Sequence, residues 1–113
     1  MTWEQFDSAC RQIATKIKQH PKTVTDIFGI PRGGLIPAVR LSHLLQLPLT
    51  STISRRTLIV DDICDTGKTL NIYKIFPTNL TATLIYHKQS IIIPDFWIYE
   101  KGDVWCIFPW EQP

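Results

Sequence analysis

The chain has 113 residues, of which 44% are hydrophobic, and its formal net charge is +2. This length suits one hydrophobic core and not two, so we expect a single domain over residues 1–113. Basic and acidic residues are nearly balanced and form no basic stripe, which argues against nucleic-acid binding and favours small anionic ligands. No apolar run is long enough to span a membrane, and the first residues lack the pattern of a signal peptide, so we expect a cytoplasmic protein.

The cysteines and histidines indicate neither a disulfide framework nor a metal site. Cys10, Cys64 and Cys106 are odd in number and widely spaced, so reduced thiols are expected. The three histidines have no spacing typical of metal ligands.

The first half of the chain predicts helix, strand, helix and strand. Apolar residues at alternating steps of three and four form one helical stripe: Trp3, Phe6, Cys10, Ile13 and Ile17. Thr2 and Gln5 have the spacing of a capping box at the start of this helix, and Pro21 ends it. Residues 24–30 then predict a buried strand, residues 38–47 an apolar helix and residues 47–54 a second, short strand.

A glycine-rich turn with one arginine joins the first strand to the apolar helix. Gly33 and Gly34 permit positive φ and a close approach of backbone amides to phosphate oxygens, and Arg32 adds a fixed charge. On its own, such a turn is equally well explained as a tight turn without a ligand.

Residues 58–69 contain the strongest functional pattern. Residues 58–60 are continuously apolar, as in a strand buried on both faces, so Asp61 and Asp62 lie at its carboxyl end, where open α/β sheets bind ligands. Both carboxylates reach one ligand only if the chain leaves extended geometry there, with Ile63 and Cys64 forming the turn. We therefore expect both aspartates to be exposed.

The residues after this strand predict a phosphate site. Thr66, Gly67, Lys68 and Thr69 open a helix whose free N–H groups favour an anion. The last three match the end of a Walker phosphate loop, but Asp62 stands where that loop needs a glycine. The two aspartates must therefore face sugar hydroxyls or a magnesium ion. The alternative, a buried strand running into a polar turn, leaves three aspartates without a role.

Residues 61–69 resemble the phosphoribosyl pyrophosphate (PRPP) signature of type I phosphoribosyltransferases. In that family two acidic residues hold the ribose hydroxyls and the next loop holds the 5-phosphate. The resemblance implies an α/β fold with a mainly parallel sheet of about five strands flanked by helices, and Mg²⁺ at Asp62. It implies PRPP contacts at Arg32, Gly33, Gly34, Asp61, Asp62, Asp65, Thr66, Gly67, Lys68 and Thr69.

Other stretches resemble the purine branch of the family, the xanthine-guanine phosphoribosyltransferases. Lys88 matches a lysine that contacts the six-oxo group of the base, Trp105 a tryptophan that stacks on it, and Cys106 a residue whose backbone reads its edge. The resemblance implies transfer of ribose 5-phosphate to guanine, xanthine or hypoxanthine in purine salvage, by a homo-oligomer, with Asp65 as general base. The alternatives are that Lys88 is a solvated residue at the end of a strand and that Trp105 packs in the hydrophobic core.

The chain departs from the family before the signature strand. The family usually carries a long flexible loop there, which covers the active site and supplies basic residues, whereas this chain has room only for a turn. Arg55 and Arg56 either replace part of that charge or are solvated. The missing loop predicts slow catalysis and supports an alternative function, a regulatory domain that binds PRPP or a nucleotide, although Lys88 and Trp105 argue against it.

Overall fold

The computed structural model describes residues 1–103 and 107–111, which form a parallel sheet with helices on both faces. The sheet has four strands in the order β1-β2-β3-β4, all parallel. The predicted α/β class is therefore confirmed, with four strands in the described sheet where about five were predicted. The helices are α1 (Trp3–Gln19), α2 (Leu35–Leu45) and α3 (Lys68–Tyr73), and the strands are β1 (Asp26–Gly29), β2 (Thr57–Cys64), β3 (Thr81–Tyr86) and β4 (Tyr99–Glu100).

Two apolar cores lie on opposite faces of the sheet. Leu58 and Val60 of β2 pack into the larger core with α1 and α2, whereas Ile59 packs into the smaller core beneath α3. β3 is buried at every position. This burial on both faces confirms the interpretation of residues 58–60 as an inner strand. Within the described ranges, no helix is both long and apolar enough to span a membrane.

The first helix begins and ends close to the predicted positions. The Thr2 hydroxyl accepts from the amide of Gln5 at 3.0 Å, and the Gln5 side chain accepts from the amide of Thr2 at 2.9 Å, which confirms the capping box. Phe6, Cys10, Ile13 and Ile17 are buried as the stripe predicts. Trp3 is 56% exposed at the start of the helix, and its ring lies against the rings of Phe6 and Trp110.

The strand predicted at residues 47–54 is reduced to one parallel bridge between Ile27 and Leu49. Pro48 has no N–H to donate. The Thr50 hydroxyl donates to the Thr52 carbonyl and accepts from the Thr52 amide, which turns the chain away from β1. The bridge still places residue 49 on one side of β1, while β2 lies on the other side. The order in which strands are added to the sheet therefore reverses between β1 and β2. Open α/β sheets form a ligand crevice at such a switch point.

The connection into β2 is a tight turn at the amino end of that strand. The Thr57 amide donates to the Ser54 carbonyl at 3.2 Å. Asp62 lies five residues after Thr57 in β2, roughly 16 Å away at the rise of an extended strand. Arg55 and Arg56 therefore lie at the opposite edge of the sheet from the aspartates, and the hypothesis that they replace the family's loop within this chain is wrong.

A buried asparagine holds this turn in place. The Asn79 amide nitrogen donates to the carbonyls of Ser54 at 2.8 Å and Thr57 at 3.0 Å, and its oxygen accepts from the Phe76 amide at 2.9 Å. Asn79 is only 1% exposed, and its hydrogen bond to the Thr57 carbonyl is fully buried.

We predict that Asn79→Ala lowers the free energy of unfolding by roughly 2–4 kcal/mol, because it removes three hydrogen bonds made by a buried side chain, one of them fully buried. Urea denaturation followed by circular dichroism measures this change. Asn71→Ala on the exposed side of α3 is the matched control and should change stability by roughly 0.5 kcal/mol or less. Equal stability losses in the two variants would contradict the role of Asn79.

Candidate active site

The turn after β1 packs directly against the backbone of β2. The Ile30 amide donates to the Val60 carbonyl at 2.8 Å, and the Gly34 amide donates to the Ile30 carbonyl at 2.9 Å. A Cβ atom on Gly34 would overlap the Val60 carbonyl, and one on Gly33 would overlap the carboxylate of Asp62. Both glycines are therefore required by close approach, and the turn lies against Asp62.

The aspartates are arranged differently from the expectation. β2 stays extended through Cys64 and keeps its register with β3, so the turn predicted at Ile63 and Cys64 is wrong. Asp61 is only 9% exposed, so the prediction that both aspartates are exposed is also wrong, whereas Asp62 is half-buried. Each carboxylate accepts from the following amide, Asp61 from Asp62 at 2.9 Å and Asp62 from Ile63 at 2.8 Å. Despite the extended backbone, both residues contribute to the lining of one cavity.

Burial changes the acidity of this pair. Desolvation first, and then the adjacent charge of Asp62, raise the pKa of Asp61 from an ordinary value of 3.8 to about 8. The pair therefore carries less than its full negative charge at neutral pH. This favours the approach of an anionic ligand that also presents hydroxyl groups.

The loop after β2 forms a small cavity. Gly67 has a φ of +84°, and a Cβ atom there would collide with Ser90 and Ile92, so glycine is required. The cavity measures about 190 Å³ and has the following lining: Asp61, Asp62, Ile63, Cys64, Asp65, Thr66, Gly67, Thr69 and Leu70. Lys68 is exposed and is not part of this lining.

A second, larger cavity of about 750 Å³ shares lining residues with the first one. Its lining includes Arg32 and Gly33 of the turn and two aromatic rings, Phe108 and Trp110, which stack at 4.8 Å. Asp62 and Ile63 line both cavities, so the two cavities adjoin at these residues, and together they are called the crevice. The crevice follows the carboxyl ends of β1 and β2, at the switch point of the sheet.

Two basic side chains that the sequence analysis did not assign contact Asp65. One oxygen of Asp65 lies 2.9 Å from Nδ1 of His87 and 3.0 Å from Nζ of Lys101. Lys101 first, and then His87, lower the pKa of Asp65. His87 directly follows β3, and Lys101 directly follows β4. Their position after strands, at the same edge of the sheet as Asp65, was the signal available in the sequence. Asp65 is therefore an ionised hydrogen-bond acceptor and a weaker base than an ordinary aspartate.

The residues assigned to the base are only partly described. Lys88 follows β3 and its side chain is 74% exposed, with Nζ 3.5 Å from a carboxylate oxygen of Glu100. Trp105 and Cys106 lie outside the described residues. The structure thus brings together Arg32, the two glycines, the aspartates and the 65–69 loop, and places Lys88 at the same edge of the sheet.

Known proteins similar to this chain are purine phosphoribosyltransferases. No protein-family model matches the sequence. The crystal structure of a purine phosphoribosyltransferase from Pyrococcus horikoshii shares 32% sequence identity with it and superposes with a TM-score of 0.85, covering 99% of this chain and 92% of that one. The chain belongs to the purine phosphoribosyltransferase family. The resemblance seen in residues 61–69 is thereby confirmed.

Relatives with curated names agree. A xanthine-guanine phosphoribosyltransferase from Cereibacter sphaeroides is 28% identical, over 99% of this chain and 86% of that protein, and one from Gluconobacter oxydans is 27% identical, over 98% and 83%. A Helicobacter pylori xanthine-guanine-hypoxanthine phosphoribosyltransferase, at 20% identity and a TM-score of 0.74, shares the fold. The alignment with the Cereibacter sphaeroides protein spans 143 positions, more than the 113 residues of this chain. The relative therefore contains internal segments that this chain lacks.

The raised pKa of Asp61 predicts a pH-dependent stability. The native state binds the Asp61 proton more tightly than the unfolded chain, so the free energy of unfolding should fall as the pH rises from about 4 to about 8. Asp61→Asn retains the hydrogen-bond acceptor and removes the titration, so its stability should change less over this range. Urea titrations at pH 5 and pH 8 measure the effect, with exposed Asp103→Asn as control. Identical pH dependence in Asp61→Asn and the unmutated protein would contradict this account.

Proposed function

We propose that this chain transfers the ribose 5-phosphate group of PRPP to a six-oxo purine, guanine, xanthine or hypoxanthine, and releases pyrophosphate. One observation carries the proposal: Asp62 lies between the turn of Arg32 and Gly33 and the loop at residues 65–69, in one crevice. PRPP has a pyrophosphate and a 5-phosphate at opposite ends of a sugar with two hydroxyls. The crevice offers groups of matching chemistry in the same order.

The arrangement suits a reaction at the anomeric carbon of the sugar. Such a displacement passes through a state with positive charge on the sugar and negative charge on the departing pyrophosphate. In our proposal Asp61 and Asp62 bind the ribose hydroxyls and stabilise the positive charge. Arg32 and the amides of the two glycines stabilise the pyrophosphate, and Thr66 to Thr69 anchor the 5-phosphate, so that remote binding energy positions the reacting carbon.

The residues at the crevice fit a magnesium ion that arrives with the substrate. Mg²⁺ is usually bound by one or two carboxylates together with substrate phosphates and water. Two adjacent carboxylates are present, and the part of the chain that the structure describes contains no cluster of three or more histidine, cysteine or acidic residues that would form a complete protein cage. Asp62 would hold the ion, which would neutralise charge on the pyrophosphate.

The base is proposed to lie beside Asp65. Asp65 is held ionised by His87 and Lys101, so it accepts a hydrogen bond from the purine and shares its proton. Lys88 is proposed to donate to the six-oxo group, Trp105 to stack on the ring and Cys106 to contact the base through its backbone. We further propose a single-domain, cytoplasmic homo-oligomer in purine salvage that binds neither nucleic acid nor membrane.

The short turn at residues 54–57 bears on the rate. It lies at the far edge of the sheet and cannot cover the crevice, so water reaches the sugar carbon unless a second subunit covers it. This favours slow transfer. It is also the observation that supports the second candidate function, binding of PRPP or a nucleotide as a regulatory signal with little catalysis.

We predict nucleotide formation when the protein is mixed with magnesium, PRPP and guanine, xanthine or hypoxanthine. Asp62→Asn should lower the rate by on the order of a hundredfold or more, because it removes charge stabilisation at the sugar and a magnesium ligand. Chromatography of the nucleotide measures the rate, and Asp103→Asn is the control. Binding of PRPP without nucleotide from any purine would support the regulatory function instead, and unchanged activity in Asp62→Asn would contradict the site.

The proposed contact of Lys88 predicts a preference for six-oxo purines over adenine. A lysine donates to an oxo group but cannot accept from the amino group of adenine, so each mismatch should cost on the order of 1–3 kcal/mol. Lys88→Met should reduce the ratio of kcat/KM for guanine to that for adenine. Lys16→Met on α1 removes the same charge far from the crevice and should leave the ratio unchanged. A ratio that is unaffected by Lys88→Met would exclude this contact.

A further inference from the structure

A second cleft, at the amino ends of β1 and β2, is lined by basic residues. It measures about 400 Å³, with this lining: Pro21, Lys22, Thr23, Val24, Arg55, Arg56, Thr78 and Leu80. Three of these residues are cationic and none is acidic. Across residues 1–103 and 107–111, no carboxylate lies within 4 Å of the charged groups of Lys22, Arg55 or Arg56. The cleft therefore concentrates positive charge that the described protein does not neutralise.

The turn that carries the two arginines, and the guanidinium of Arg55, are held in place before any ligand arrives. The buried Asn79 side chain fixes their turn, and the guanidinium of Arg55 lies over the ring of Phe76 at 4.7 Å from its centre. The carbonyl of Arg56 accepts from the Thr25 amide at 3.1 Å, which ties the turn to the start of β1. Holding like charges close together costs free energy. A bound anion offsets this cost because it neutralises the charges.

The nearest acidic residue on β1 does not offset this charge. A carboxylate oxygen of Asp26 accepts from the Thr57 hydroxyl at 2.7 Å, which directs it to the strand pair. Asp26 is also absent from the lining of the cleft.

The remaining lining defines the chemistry of the ligand. Guanidinium groups bind phosphate oxygens in pairs, and a lysine adds a point charge. Thr23 and Thr78 add hydroxyl donors, and Val24 and Leu80, both largely buried, form an apolar floor. The volume is within the range of small-molecule sites. We propose that this cleft is a second ligand site, which binds a compact polyphosphate, inorganic or carried by a nucleoside.

This site is separate from the proposed transferase crevice. The length of β2 lies between them, so a ligand in one does not contact residues of the other. The proposal therefore does not depend on the proposed function, and each can fail alone.

Isothermal titration calorimetry with inorganic tripolyphosphate at low salt tests the proposal. Arg55→Gln/Arg56→Gln should weaken binding at one site at least tenfold and leave magnesium-PRPP binding unchanged. Lys16→Gln/Lys18→Gln removes the same charge from exposed positions on α1 and should bind tripolyphosphate as the unmutated protein does. Lys22→Gln, which leaves the turn and its Phe76 contact intact, should also weaken binding and decides the matter if the double variant unfolds.

Three results would overturn the proposal. The first is tripolyphosphate binding that is unchanged in Lys22→Gln and in the folded double variant. The second is an equal loss in the Lys16→Gln/Lys18→Gln control, which would show general charge attraction. The third is tighter binding of a short single-stranded RNA than of tripolyphosphate with the same dependence on Lys22, which would assign the cleft to nucleic acid.

Discussion

The functional architecture depends on the close packing of the turn after β1 against β2. The Ile30 amide bonds to the Val60 carbonyl, and no side chain fits at Gly34 or Gly33. Because these backbones are in contact, the donors of the turn lie beside the carboxylate of Asp62. In our proposal the turn binds phosphate and the carboxylate binds sugar hydroxyls, so both can act on one ligand. Any side chain at these glycines would push apart the two halves of the crevice.

Burial gives the two aspartates different properties although they are neighbours in sequence. Asp61 is enclosed and its pKa is raised, whereas Asp62 remains accessible from both cavities. Two full charges side by side would repel the phosphates of PRPP, and a buried, partly protonated Asp61 lessens that repulsion. At Asp65 the opposite occurs, since Lys101 and His87 favour its charged form. The site thus contains three carboxylates with three environments.

The strongest local patterns in the sequence predicted the fold and the crevice. The apolar run before Asp61 identified the central strand, and the glycine at position 67 identified the loop, because each reflects a local requirement. Predictions that depend on contacts between residues distant in sequence were wrong. The strand at residues 47–54 needed donors that Pro48 lacks, and the burial of Asp61 depends on neighbours distant in sequence. His87 and Lys101 meet Asp65 only through the sheet, so spacing along the chain did not show their role.

The two edges of the sheet differ in chemistry. The carboxyl edge combines acidic side chains with backbone donors, whereas the cleft at the amino edge is lined by three cationic residues and no acidic one. The most direct test of the central claim, that the carboxyl edge holds PRPP, is a ¹H–¹⁵N shift map during titration with magnesium-PRPP. The account predicts the largest changes at the amides of residues 32–34 and 66–69. Changes confined to residues 22–24 and 55–56, or to neither group, would contradict it.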